Sequence, residues 1–161
     1  MTYTIRSMDE DAITEIAGWH YPPPYDFNDW TKDSDDLAPL LDARRWPERY
    51  FSAYGSDSEL VGFFEFQLSE DWATIGLGLR PDLTAKGLGL QFVDAGLGFA
   101  SEAFQVRNFH LAVATFNERA IVVYERAGFV REEIIPHFSN GQLYDFLHMR
   151  RYADGSGLAG S

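Results

Sequence analysis

Residues 76–92, GLGLRPDLTAKGLGLQF, carry the clearest chemical signal in the sequence. An apolar segment ends at Arg80-Pro81, a short loop follows, and Lys86–Gly89 opens a segment whose apolar spacing predicts a helix. Glycines let a backbone approach a ligand closely, and the unpaired amides at a helix start attract an anion. The pattern predicts a phosphate or pyrophosphate site, and the alternative is a glycine-rich turn without a ligand.

Other motifs for phosphate or metal fail on their spacing. The sequence has no Gly-Lys-Ser/Thr triplet of a P-loop, and the dinucleotide pattern would need glycine where Pro81 and Phe92 stand. An EF-hand that begins at Asp29 would need glycine at position 34, where serine stands. The four histidines show no metal-ligand spacing, so each is interpreted singly as a structural or surface residue, and we expect no metal.

A second candidate is the stretch NERAIVVYERAGF, residues 117–129. Asn117 is a good helix N-cap, and Tyr124 follows it by seven residues. Because an unperturbed tyrosine has a pKa near ~10, Tyr124 is protonated at neutral pH and can act as a general acid. A buried aromatic on the core face of the helix also fits this position.

The two stretches together, in this order and separated by a helix and a strand, resemble a GCN5-related N-acetyltransferase (GNAT) from about Thr2 to Arg151. The resemblance implies direct transfer of an acetyl group from acetyl-CoA to a primary amine, with Tyr124 protonating the leaving thiolate. It also implies that loop amides hold the pyrophosphate, and that a strand backbone and Asn117 hold the pantetheine arm. The implied coenzyme-binding residues are Leu77, Leu79, Thr84, Ala85, Lys86, Gly87, Leu88, Gly89, Leu90, Asn117 and Tyr124.

Two positions depart from the family pattern. Thr84 stands where Gln or Arg is usual, although a hydroxyl can still bond a phosphate, and Lys86 or Arg80 are candidates for extra charge. Ala112 stands where some members carry a glutamate base. The base must therefore lie elsewhere, or the amine must arrive neutral.

Glu65 is the side chain that we predict as the base. It lies in the apolar run VGFFEF, so its side chain points to the face opposite Phe64 and Phe66. A carboxylate surrounded by phenylalanines would have a raised pKa and accept a proton through water. The alternative is an ordinary exposed glutamate on a strand.

The loop HYPPPYDFNDW, residues 20–30, is rich in aromatic residues. In the resembled family this region often walls the acceptor site. Tyr25, Phe27 and Trp30, together with Tyr21, are therefore predicted to surround a cationic or flat acceptor. The alternative is a small hydrophobic cluster that fixes the proline loop.

Hydropathy patterns predict an α+β fold with a mixed, mostly antiparallel central sheet of about six to seven strands and helices on both faces. We expect one domain over residues 1–152 and a disordered tail over 153–161. Helix residues Gly96 and Gly98 are expected to mark close packing against the sheet. The predicted strands are 2–6, 49–54, 60–68, 72–79, 109–114, 129–136 and 143–150, and the predicted helices are 9–19, 35–44, 87–103 and 117–127.

Composition limits the partners of this 161-residue chain. With 13 Lys and Arg against 25 Asp and Glu the net charge is −12, which disfavours nucleic acid. The acidity would attract small cationic amines, and the alternative is that it only keeps the protein soluble. We expect a small-molecule or peptide amine as the acceptor. The absence of cysteine excludes disulfides and a thiol nucleophile and is compatible with the cytoplasm, and no apolar run suggests a membrane span. Two other hypotheses stay open: a catalytically silent CoA-binding module, and self-association as a homodimer through edge strands.

Overall fold

The computed structural model describes residues 2–21, 23, 49–139 and 141–153. Within these residues the chain forms seven strands, three α-helices and one 3₁₀ turn at Pro81–Leu83. The helices are α1 (Glu10–Ala17), α2 (Gly89–Phe104) and α3 (Glu118–Arg126). The strands are β1 (Thr4–Ser7), β2 (Tyr50–Tyr54), β3 (Leu60–Ser69), β4 (Trp72–Leu79), β5 (Asn108–Ala114), β6 (Val130–Ser139) and β7 (Gln142–Arg151).

The strands form one sheet in the order β1-β2-β3-β4-β5-β7-β6. Neighbouring strands are antiparallel except β4 and β5, which run parallel because α2 connects them as a crossover. The predicted fold class is confirmed, and the element boundaries differ from the predicted ones by only a few residues. The predicted helix at 35–44 and the tail beyond residue 153 lie outside the described residues.

One face of the sheet packs against α2 and α3 around a core rich in phenylalanine. Phe64 and Phe66 of β3 are almost fully buried there, and Phe64 stacks on Phe92 of α2 with ring centroids 4.5 Å apart. Gly96 lies directly against the Phe64 ring, so the predicted close packing is confirmed at this glycine. The same expectation is wrong for Gly98, where a Cβ would point into open space.

Helix α1 covers the opposite face of the sheet. Its Ile13 and Ile16 pack with Tyr50 and Leu60 in a separate buried cluster. The side chain of Asp9 caps the helix by accepting a hydrogen bond from the Ala12 amide at 2.9 Å. Helices therefore cover both faces, as predicted. Among the described residues, no helix has the length and apolar character needed to cross a membrane.

Strands β4 and β5 pair over a short distance and then part. Their register runs from Trp72↔Asn108 to Thr74↔His110 and ends there. Beyond this point β4 stays paired with β3 as far as Leu79, and β5 stays paired with β7. Each strand thus keeps its outer partner while its inner edge is left without a neighbouring strand. This parting opens a gap in the middle of the sheet.

The contrast between Gly96 and Gly98 makes the helix–sheet packing testable. We expect Gly96→Ala to lower the free energy of unfolding by about 1 to 2 kcal/mol, because the new methyl group overlaps the buried Phe64 ring. Gly98→Ala should instead stabilise the protein by about 0.5 to 1 kcal/mol, since it gains helix propensity without a clash. Urea unfolding of both variants measures the difference, and equal effects would contradict this packing.

Candidate active site

The gap between β4 and β5 forms a cleft of about 710 Å³. Its walls come from the parted halves of the two strands, from the loop that leads into α2, and from α2 and α3. All the predicted coenzyme-binding residues except Lys86 and Leu88 line it. The lining residues that the sequence did not single out include Ile75, Gly76, Leu111, Val113, Arg119, Val123, Arg126 and Phe146.

The β4 wall presents the backbone of Leu77 and Leu79, as expected from the sequence. The hydroxyl of Tyr21, which also lines the cleft, donates a hydrogen bond of 2.6 Å to the Leu79 carbonyl oxygen. A carbonyl oxygen has two lone pairs, so this oxygen keeps one for a ligand. Tyr21 thereby ties the segment after α1 to the end of β4.

The loop before α2 has the shape of an anion-binding turn. Ala85 and Gly87 have positive φ angles of 60° and 77°, which place two left-handed residues close together. Helix α2 then begins at Gly89 with Leu88 as an N-cap that supplies no side-chain hydrogen bond. The first-turn amides of α2 therefore have no capping side chain and can donate to an anion.

Thr84 differs from what the sequence suggested. Its hydroxyl donates a hydrogen bond of 2.7 Å to the carbonyl oxygen of Pro81. A hydroxyl carries one proton, so in this arrangement Thr84 has no donor left for a phosphate. The expected phosphate contact through this side chain is therefore not supported, although Thr84 lines the cleft.

The cationic side chains at the cleft are also different from those expected. Lys86 is exposed and does not line the cleft. Arg80 donates a hydrogen bond of 2.6 Å from Nε to the Asp82 carboxylate, and this bond raises the pKa of Arg80. Instead, Arg119 and Arg126 of α3 line the cleft. Arg80 does not line the cleft either, so its contribution of charge to a ligand stays a prediction.

Asn117 has the local role predicted for it. Its Oδ1 accepts a hydrogen bond of 3.3 Å from the Ala120 amide and so caps α3. The acceptor end of the side chain is thus used inside the protein, while the amide Nδ2 is a donor that can serve a ligand. Asn117 lines the cleft at the start of the helix that also carries Tyr124.

Tyr124 lines the same wall about two turns further along α3. Its ring packs edge-on against Phe129, with centroids 6.1 Å apart. Burial raises the pKa of Tyr124 to about 12. The phenol is therefore fully protonated at neutral pH, and a group in the cleft meets a hydroxyl and not a phenolate.

Glu65 lies on the face opposite Phe64 and Phe66, as the alternation predicted. Its surroundings differ from the expected phenylalanine pocket. The carboxylate contacts Arg49 Nη2 and Gln67 Nε2, each at 3.4 Å, and it is partly exposed. The predicted apolar environment is wrong because the phenylalanines beside it in sequence point to the other face of the sheet.

The histidines are not the isolated residues that the sequence suggested. His110 of β5 and His148 of β7 are 38 residues apart and are joined ring to ring by a hydrogen bond of 2.8 Å. His148 stands directly opposite Ala112, which is exposed at the cleft. Strand register brings the two rings together, and no spacing in the sequence indicates that register.

The predicted acceptor-site residues Tyr25, Phe27 and Trp30 lie outside the described residues. Among the residues that are described, no group of three or more His, Cys, Asp and Glu side chains is placed to hold a metal ion.

Comparison with known proteins places this fold and cleft in context. The model of the acetyltransferase (GNAT) family matches residues 7–129. A mycothiol acetyltransferase from Streptomyces coelicolor is 32% identical over 128 residues, which cover 76% of this chain. The chain spans 38% of the length of that relative.

Solved structures with the same fold include two forms of a Vibrio cholerae spermidine N-acetyltransferase. A chimera of this enzyme has a TM-score of 0.78 and 20% identity, covering 96% of this chain and 97% of its own. The enzyme in complex with CoA and spermine has a TM-score of 0.74 and 19% identity, covering 95% and 96%. At these identities the likeness concerns the fold.

Mutations can separate the capping role of Asn117 Oδ1 from the role of its donor Nδ2. We expect Asn117→Ala to lower the free energy of unfolding by about 1 kcal/mol, because the Ala120 amide loses its cap. Asn117→Asp should retain the stability, since a carboxylate oxygen caps the helix equally well and favours its positive end. Thermal or urea unfolding of the pair is the measurement, and a similar loss in both variants would contradict the capping role.

Proposed function

The chain belongs to the acetyltransferase (GNAT) family, and we propose that it transfers the acetyl group of acetyl-CoA directly to a primary amine. The observation that carries this proposal is the parting of β4 and β5. The gap joins an anion-binding loop at one end to Asn117 and Tyr124 on one wall. A long, thin molecule with a phosphate group at one end and a reactive group at the other suits such a cleft.

The residues of the cleft fit the coenzyme in three ways. The amides at the start of α2 suit the pyrophosphate, and Arg119 and Arg126 offer positive charge in a chain whose net charge is −12. The unpaired edge of β4, near Leu77 and Leu79, offers backbone groups to the amides of the pantetheine arm. The donor Nδ2 of Asn117 complements them.

Acetyl-CoA supplies an acetyl group activated as a thioester. Amides on the unpaired edge of β4 can donate to the thioester oxygen as negative charge develops there. Tyr124 donates its proton to the sulfur as the C–S bond breaks. Because a phenol with a pKa of about 12 is a weaker acid than a thiol, Tyr124 must regain a proton at the same time. The attacking amine nitrogen supplies it as the amide forms.

A small cationic amine is the acceptor class that we propose. The net charge of −12 attracts such molecules and opposes polyanions. The two structural neighbours described above carry the name spermidine N-acetyltransferase, which supports the same class. Tyr25, Phe27 and Trp30 remain the predicted walls for this acceptor, and Glu65 remains a candidate base. We place the activity in the cytoplasm.

A second candidate function is a CoA-binding module without transferase activity. The engaged hydroxyl of Thr84 and the alanine at position 112 favour it. Tyr124 on the cleft wall favours the enzyme, because a silent module has no need of a proton donor there. Turnover with an amine therefore decides between the two.

Calorimetric titration with acetyl-CoA is the first test, with ATP and NAD as controls. We expect micromolar binding of acetyl-CoA alone, and release of CoA thiol with at least one member of a panel of polyamines, aminoglycosides and peptides with free N-termini. The protein contains no cysteine, so a thiol reagent detects only CoA. Asn117→Asp, which keeps the helix cap, should bind acetyl-CoA about 10-fold more weakly, since one donor is lost.

No binding of acetyl-CoA would contradict both candidate functions. Binding without release of thiol across the whole panel would favour the silent module.

Tyr124→Phe tests the proton donor. We expect kcat to fall roughly 10²-fold while the affinity for acetyl-CoA stays within twofold, because the substitution removes the proton donor and keeps the ring that packs on Phe129. Tyr54→Phe is the matched control, since Tyr54 contacts Arg6 and does not line the cleft. Equal rates for the two variants would contradict the role of Tyr124.

A further inference from the structure

A line of three polar side chains crosses the middle strands on the face opposite α2. Thr74 Oγ1 lies 3.1 Å from His110 Nδ1, and His110 Nε2 lies 2.8 Å from His148 Nδ1. Ala73 and Phe109 of the same strands are buried in the α2-side core, so Thr74 and His110 point the other way. The line thus connects β4, β5 and β7 across the sheet.

This line lies at the point where the strands part. Thr74↔His110 is the last register pair between β4 and β5. His148 is opposite Ala112, and both Ala112 and Phe146, two residues before His148 on β7, line the cleft. Residues directly opposite in an antiparallel pair have Cβ atoms only about 5 Å apart. His148 is therefore next to residues that line the cleft, on the face of the sheet opposite α2.

The far nitrogen of His148 has no hydrogen-bond partner among the described residues. Its Nε2 is buried and forms no hydrogen bond within the part of the chain that the structure describes. A buried nitrogen of this kind is costly unless another molecule satisfies it. The unpartnered atom lies at the end of the line. His148 itself does not line the cleft, but Ala112 opposite it and Phe146 two residues before it do.

Only one set of histidine tautomers leaves His148 Nε2 without a proton while both hydrogen bonds are kept. If His148 carries its proton on Nδ1, it donates to His110 Nε2, and His110 Nδ1–H then donates to Thr74 Oγ1. In this arrangement His148 Nε2 holds a free lone pair. Each donor is matched with one acceptor, and a proton taken up at Nε2 leaves both hydrogen bonds intact.

The charged groups around the line favour neutral rings. Burial, foremost, lowers the pKa of both His110 and His148 from 6.5, and Arg150 lowers both further. Glu133 opposes this for both rings and Glu132 for His110, but both carboxylates are bonded to Arg150. His137 stacks on His148 from β6 with centroids 6.2 Å apart, and Glu65 on β3 of the same face is paired with Arg49.

We propose that His148 Nε2 is the base that removes a proton from the acceptor ammonium group, and that His110 and Thr74 are positioning residues that hold its tautomer. This inference rests on the proposed function. It assigns the base to a residue on β7 and not to Glu65, whose oxygens already accept hydrogen bonds from Arg49 and Gln67.

The protons balance in two steps. The ammonium group first gives one proton to His148 Nε2, and the resulting imidazolium releases it to solvent. The neutral nitrogen then forms a bond with the acetyl carbon and the C–S bond breaks. The second proton of the nitrogen goes to Tyr124, whose own proton goes to sulfur. A base is needed because only about one in 10³ molecules of an amine with a lysine-like pKa is neutral at pH 7.

The test compares His148→Gln, His110→Gln and Glu65→Gln, with His137→Gln as the control histidine that stacks on the line without a hydrogen bond to it. We measure kcat/KM against pH with the amine that the panel identifies, and the affinity for acetyl-CoA. His148→Gln should lower kcat/KM roughly 10²-fold at pH 7 and remove an inflection below pH 6.5. Its affinity for acetyl-CoA should not change.

The other three variants distinguish a positioning residue, a competing base and a control. His110→Gln should lower kcat/KM by about 10-fold and shift that inflection, since His148 loses the partner that fixes its tautomer. His137→Gln should stay within about twofold of the wild type and keep the inflection. Glu65→Gln removes the competing candidate base, and it should also keep the inflection. An unchanged profile for His148→Gln, or loss of the inflection in Glu65→Gln, would overturn the inference while leaving the proposed function intact.

A second readout is independent of turnover. Long-range ¹H–¹⁵N NMR of the free protein should show His148 and His110 with Nδ1 protonated and His148 Nε2 unprotonated, with titration midpoints below 6.5. A proton on His148 Nε2 at neutral pH would overturn the inference in an active enzyme. Wild-type protein that binds acetyl-CoA and acetylates no amine would contradict the proposed function, and the base role with it.

Discussion

The parting of β4 from β5 is the constraint on which the rest of the structure depends. A strand in the middle of a sheet normally has both edges paired, and unpaired backbone groups in the interior are costly. Here each strand keeps its outer partner, so both remain ordered while their facing edges have no neighbouring strand. The fold thus maintains a set of hydrogen-bonding groups aimed at a space that a ligand can fill.

The same parting connects the two faces of the sheet. Elsewhere the sheet separates the α2 and α3 side, which carries Asn117 and Tyr124, from the side that carries Thr74, His110 and His148. At the gap Ala112 is exposed although it lies in an inner strand. A coenzyme bound from one side and an amine that arrives from the other would meet there. Groups from both faces can then act on one reaction.

The charge at the cleft differs from the net charge of the chain. The chain carries a net charge of −12, yet arginines of α3 line the cleft and the first turn of α2 presents its positive end there. A local positive field inside an acidic protein suits an anionic coenzyme and a cationic acceptor together.

The sequence by itself determined the elements, and of the coenzyme-binding residues that it predicted all but Lys86 and Leu88 line the cleft. The signals that it used are local, since they depend on residues close together in the chain. They are the hydropathy periods of strands and helices, the Asn117 cap and the glycines before α2. The tertiary structure alone decided what depends on register and on neighbours from other elements. The hydrogen bond between His110 and His148, the Arg49 partner of Glu65, and the difference between Gly96 and Gly98 are of this kind. Their cause is physical: a contact between distant residues follows from which strands pair and by how much they are offset, and the pattern of side chains along one strand leaves that offset open.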